Sequence, residues 1–208
     1  MKTTNFFIDF IIVGLIGIGA IVVPIFMLNH GLLVILLQNA DIVIKLTPVV
    51  TILTYVFGVV FNQFSDRVDD LLHSFRWLKD IKAERQRFTD DFGKSDHDCI
   101  QYIVIKSTSA YEYLSYRRSV IRIIRALLTM SLIILILHPV SSAIASIFID
   151  LRWSLSNMVI MITLSALLSF IVYTLRKIEL GYFAAVRNFY ISISNESQPS
   201  SERKPTDQ

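Results

Sequence analysis

Four apolar stretches, each about as long as the roughly 20 residues a bilayer-crossing helix needs, limit what this chain can fold into. Residues 10–28 are uncharged and contain Gly14, Gly17, Gly19 and Pro24. Residues 42–61 are apolar except for Lys45, with Pro48 close behind it. Residues 126–149 carry no formal charge but include His138-Pro139, and 158–175 are uncharged and rich in Leu, Ile and Met. Inside a bilayer every backbone N–H and C=O must bond within its own segment, so each run reads as a helix. With 53% hydrophobic residues in a chain of 208, no soluble fold of this size hides so much apolar surface. The single cysteine, Cys99, excludes an intramolecular disulfide and a Cys-rich zinc site.

The first run reads as a retained anchor rather than a cleaved signal. Only Lys2 precedes it, Asp9 stands at its front, and Pro24-Ile25-Phe26 occupies the place of a small-residue cleavage site. The six apolar residues 32–37 are too short to span and read as an interfacial or re-entrant segment. Orientation follows from Lys and Arg. Twelve of them lie in 62–125, none in 29–41, and only Arg152 in 150–156, while Arg176, Lys177, Arg187, Arg203 and Lys204 follow the last span. Both termini and the middle segment are therefore expected on the cytoplasmic side. The expected fold is an all-α integral membrane protein, with four transmembrane helices in two hairpins and a cytoplasmic helical hairpin between them. Its parts are 1–61, 62–125, 126–175, and a juxtamembrane segment with a disordered tail, 176–208.

The first arm of the middle segment continues from the second span. Phe64, Val68, Leu71, Phe75 and Leu78 step by fours and threes, the seam spacing of a coiled coil, and mark a partner or oligomer contact. Acidic, Gly93-containing residues 89–98 read as the turn. The return arm, from Cys99 to Arg125, reads as one helix leading into the third span, with a short strand over 101–106 as the alternative. The polar residues after Tyr190 read as disordered.

Arg117, Arg118, Arg122 and Arg125 form a candidate site for anionic head groups or a phosphate-bearing ligand, or an ordinary positive flank. Tyr111, Tyr113 and Tyr116 interleave with them, but twelve basic residues against ten acidic ones in 62–125 argue against nucleic acid. Lys45 and the His138-Pro139 pair are candidate gate or pore residues. Lys45 is alternatively paired with Asp41. Pro139 offers no N–H to the carbonyl of Leu135 and is expected to bend its helix. Asp96-His97-Asp98-Cys99 reads as a solvated turn rather than a metal site. No Walker loop, nucleophile motif or dinucleotide-binding glycine pattern occurs, so neither an enzyme nor a cofactor is expected.

Two apolar segments, 10–61 and 126–175, around charged helical arms 64–88 and 100–125 resemble the small multi-pass inner-membrane effectors of bacterial anti-phage systems, attached to retrons or to nucleotide-signalling operons. The resemblance implies a homo-oligomer in the bacterial inner membrane. It also implies a protein or nucleoprotein sensor on the cytoplasmic arms, and growth arrest or death of the infected cell once the membrane is permeabilised. It transfers no residue roles. The alternatives are a small channel or transporter subunit and a non-conducting anchor for a cytoplasmic partner.

Overall fold

Apolar runs of this length become helices along their whole extent. A computed structural model of the chain describes residues 2–28, 47–72, 79–93, 95–149 and 155–197. They form α1 (Lys2–Leu28), α2 (Thr47–Leu72), α3 (Lys79–Phe92), α4 (Asp96–Lys106), α5 (Thr108–Ile149) and α6 (Leu155–Ser197). There is no strand among the described residues, so 101–106 are helical. Four of these helices, α1, α2, α5 and α6, are long and apolar enough to cross a membrane. Large apolar side chains such as Leu15, Ile52, Val56, Ile162 and Phe170 point outward from them. An aqueous protein does not tolerate that much outward apolar surface, whereas lipid covers it. The segment 32–37, Asp41 and Lys45 lie outside the described residues.

Three boundaries differ from those expected. The turn expected over 89–98 contracts to a few residues. α3 runs on through Phe92 and ends on Gly93, at φ +60, whose N–H donates to the Thr89 carbonyl at 2.9 Å. Ser95 then opens α4 with a reciprocal cap: its Oγ accepts from the Asp98 N–H, and the Asp98 carboxylate accepts from the Ser95 N–H, both at 3.2 Å. The acidic residues that looked like a loop are helix ends, and Asp96-His97-Asp98-Cys99 is a first helical turn. The return arm, expected as one helix, breaks at Ser107. This serine closes α4, its N–H donating to Ile103 at 2.8 Å, and starts α5, its Oγ accepting from the Ala110 N–H at 3.3 Å. Finally, residues 191–197, expected to be disordered, extend α6 to Ser197. Tyr190 is held edge-on by Phe92 at 5.0 Å and Tyr102 at 5.5 Å. From an anchored turn, each further residue adds a hydrogen bond without a new nucleation cost.

The chain forms two compact units. The first comprises Met1–Leu72 and Ser119–Leu175. In it α1 and α2 meet backbone to backbone. A Cβ on Gly58 would strike the Phe10 carbonyl, and one on Gly14 the Thr54 carbonyl. Only glycine allows helices this close. Phe7 stacks on Tyr55 at 4.7 Å beside this contact. α5 completes the core, in which Val13, Ala20, Phe61 and Ala126 are buried and Phe57, Ile123 and Met130 pack around them.

The second unit comprises His73–Arg118 and Arg176–Gln208. Ile81, Cys99, Ile103, Leu114, Tyr182 and Val186 are buried in it. The C-terminal half of α6 belongs to this unit as fully as the middle segment does. Arg187 pairs with Asp91 at 2.7 Å, and Arg176 pairs with Asp80. Phe189 meets Tyr113 at 5.8 Å.

Candidate functional site

Charged side chains buried between apolar helices are costly, and they are kept only with partners in place. The first unit holds such a group. Asp9 lies in the apolar run of α1 and is only 9% exposed. Its carboxylate accepts from the Ser119 hydroxyl and from Arg122 Nη1, the latter at 3.4 Å. The Arg122 guanidinium stands 5.7 Å from the Phe10 ring centre, a cation–π contact on the helix that carries Asp9. One turn further along α5, Arg125 reaches α2. Its Nε lies 2.9 Å from Asp69 Oδ2 and its Nη1 3.3 Å from Asp66 Oδ1. Asp69 is 2% exposed. Asn62 donates to the other Asp66 oxygen at 3.2 Å.

The geometry follows from helical spacing. Arg122 and Arg125 are three residues apart, close enough to share one end of the bundle and far enough round α5 to face different neighbours. Asp66 and Asp69 have the same spacing on α2, so one guanidinium takes both. A single layer of charge thus ties α1, α2 and α5 together beside their apolar core. Among the described residues, three carboxylates and two guanidiniums meet in this layer.

The arginine cluster read from the sequence is divided by the fold. Arg122 and Arg125 belong to the layer. Arg117 and Arg118 belong to the second unit, where Arg117 lies 5.1 Å from the Tyr113 ring centre and Arg118 Nε donates to the Tyr182 hydroxyl at 2.7 Å. All four thus have contacts within their own unit. His138 is buried, at 6% exposure, and α5 continues through Pro139 to Ile149. Lys45, Phe75 and Leu78 lie outside the described residues. Of the seam, Phe64 is 48% exposed and Leu71 66%, while Val68 is half-buried. The inward face of α2 is a different stripe, Thr54, Gly58, Phe61, Ser65 and Asp69. Among the described residues no group of His, Cys, Asp and Glu is placed to hold a metal ion.

Asp9, Asp66, Asp69 and Ser119 did not stand out in the sequence as site residues. A usable signal was present for Asp69. It falls on the helical repeat of Gly58, Phe61 and Ser65, small or aromatic residues that mark a face pressed against another helix. Compared with family models, with curated proteins and with solved structures, the chain matches none.

Proposed function

We propose that this protein is a membrane effector that assembles in the bacterial inner membrane and, when triggered, permeabilises or depolarises it. The carrying observation is the charged layer itself. Asp9 and Asp69 are buried between helices that continue into the apolar spans, and a desolvation cost at that junction suits a part that opens better than it suits a passive anchor. In this reading Asp9–Arg122 and Asp69–Arg125 are a latch on a bundle whose core, Val13, Ala20, Phe61 and Ala126, excludes water in the resting state. α5 and α6 each contribute residues to both compact units, which supports a route from a trigger bound by the second unit to the spans.

The layer also supports the orientation. Asp9 lies early in α1, Asp66 and Asp69 late in α2, and Arg122 and Arg125 in the first half of α5, which supports a reading with the N-terminus and the segment 62–125 on one side, the cytoplasmic side by positive-inside counting. The close approach of α1 and α2 at Gly14 and Gly58 supports pairing of the first two spans.

The test is inducible expression in a bacterial host with a membrane-potential dye, at matched levels in the membrane fraction. Asp69→Asn and Arg125→Gln each break the latch and are expected to depolarise cells and stop growth without a trigger. Exchanging the pair, Asp69→Arg with Arg125→Asp, is expected to restore potential and growth. If none of these proteins alters the potential, the non-conducting anchor takes the place of this reading.

A further inference from the structure

α2 has two faces, and among the described residues one of them is buried in the first unit. The inward stripe ends at Ser65 and Asp69. On the outward side Val49, Leu53, Val56 and Val60 are exposed, and the same side continues to Phe64, Arg67 and Leu71. Lipid suffices to cover the valines and Leu53. It does not suffice for Phe64 and Leu71, because exposed Gln63, Arg67 and Asp70 stand among them. Hydrocarbon does not accept that many exposed polar groups, so this end of α2 stands in a polar environment, where two large apolar side chains call for a protein partner.

The face itself indicates which partner. Its ends differ in kind, since one half is purely apolar and the other mixes apolar with charged residues. Anything lying along it must cross the membrane boundary at the same level, as a helix. A second α2, inserted in the same direction, meets that requirement residue for residue. The charges also complement themselves. Arg67 and Asp70 are exposed with opposite signs, three residues apart, so two copies about a two-fold axis offer each arginine an aspartate. We infer that the outward face of α2 around Phe64, Arg67 and Leu71 is a two-fold contact between two copies of this chain, Arg67 of each copy meeting Asp70 of the other. The contact deepens the assembly part of the proposed function, and it requires α2 to cross a membrane but not the bundle to conduct.

Because Cys99 is the single cysteine and is buried, a Cys99→Ser background is the natural starting point. Cysteines placed one at a time at Phe64 and Leu71 in the full-length chain face the proposed axis. One at buried Ser65 faces the bundle interior. Membranes from cells expressing two differently tagged copies are oxidised and run on non-reducing gels. The expected result is that the Phe64 and Leu71 variants shift from the 23.8 kDa monomer to a doubled mass carrying both tags, while the Ser65 variant stays monomeric. Arg67→Glu is expected to reduce the doubled species, and Arg67→Glu with Asp70→Arg to return it. Equal cross-linking at all three positions overturns the contact, as does a doubled-mass adduct of which no part carries both tags. Cross-linking is read without reference to membrane potential, so a pairing protein that never depolarises cells fails the effector reading and leaves this contact standing.

Discussion

At the scale of the residue, glycines in this chain have different jobs that the letter alone does not reveal. Gly58 and Gly14 are places where two backbones touch, and a methyl group there has nowhere to go. Gly93 needs its freedom for a backbone reason, φ +60, and a Cβ there would meet open space. Gly19 faces only the end of Met130, a flexible side chain 3.2 Å from a built Cβ. Thermal unfolding in detergent should separate the three. Gly58→Ala is expected to cost about 1–3 kcal/mol through overpacking. Gly93→Ala is expected to cost about 1 kcal/mol from the left-handed backbone alone. Gly19→Ala is expected to be nearly neutral. The reverse order would mean that α1 and α2 do not meet through Gly58.

The C-terminal helix carries the main lesson at the scale of the element. Read linearly, the residues after the fourth span are a flank and a tail. In the fold they bring Arg176, Arg118's partner Tyr182, Arg187, Phe189 and Tyr190 into the second unit. The middle segment alone lacks these contacts. Stopping the chain after Leu175 is therefore expected to leave 79–118 open to limited proteolysis, whereas stopping it after Ser197 is expected to preserve the protease-resistant fragment. If both truncations behave like the full chain, the half of α6 beyond Leu175 is not needed to hold the second unit together. Ser107 illustrates the same point on a smaller scale: one side chain ends α4 and starts α5, and apolar spacing across the break gives no notice of it.

At the scale of the whole molecule, the charged layer makes a statement about sidedness that can be checked without knowing the function. Asp9, Asp66 with Asp69, and Arg122 with Arg125 come from three helices and are paired within the first unit. Reporter fusions at the N-terminus and within 79–106 are expected to report the same side of the membrane. Opposite signals from the two would mean that the Asp9–Arg122 pair does not form in the membrane. The ordinary cost of leaving one member of a buried pair behind, about 3–5 kcal/mol, is the reason this layer constrains the arrangement so firmly.

Much of the architecture was legible in the linear chain, because lipid imposes rules that a one-dimensional pattern satisfies or does not. Length and apolar content were enough for all four long helices, and apolar spacing was enough to read the described parts of the middle segment as helical. Helix ends were less legible, since Ser95, Asp98 and Ser107 act through backbone groups that no periodicity reports. The site was the least legible of all. The four arginines were visible as a cluster, yet nothing in their spacing said that Arg122 belongs with Asp9 and Arg125 with Asp69 while Arg117 and Arg118 turn to aromatic rings in another unit. Secondary structure in a membrane protein is decided within each segment, by backbone groups that must find partners nearby. A buried charge finds its partner across the fold, and only packing three helices side by side brings those residues together.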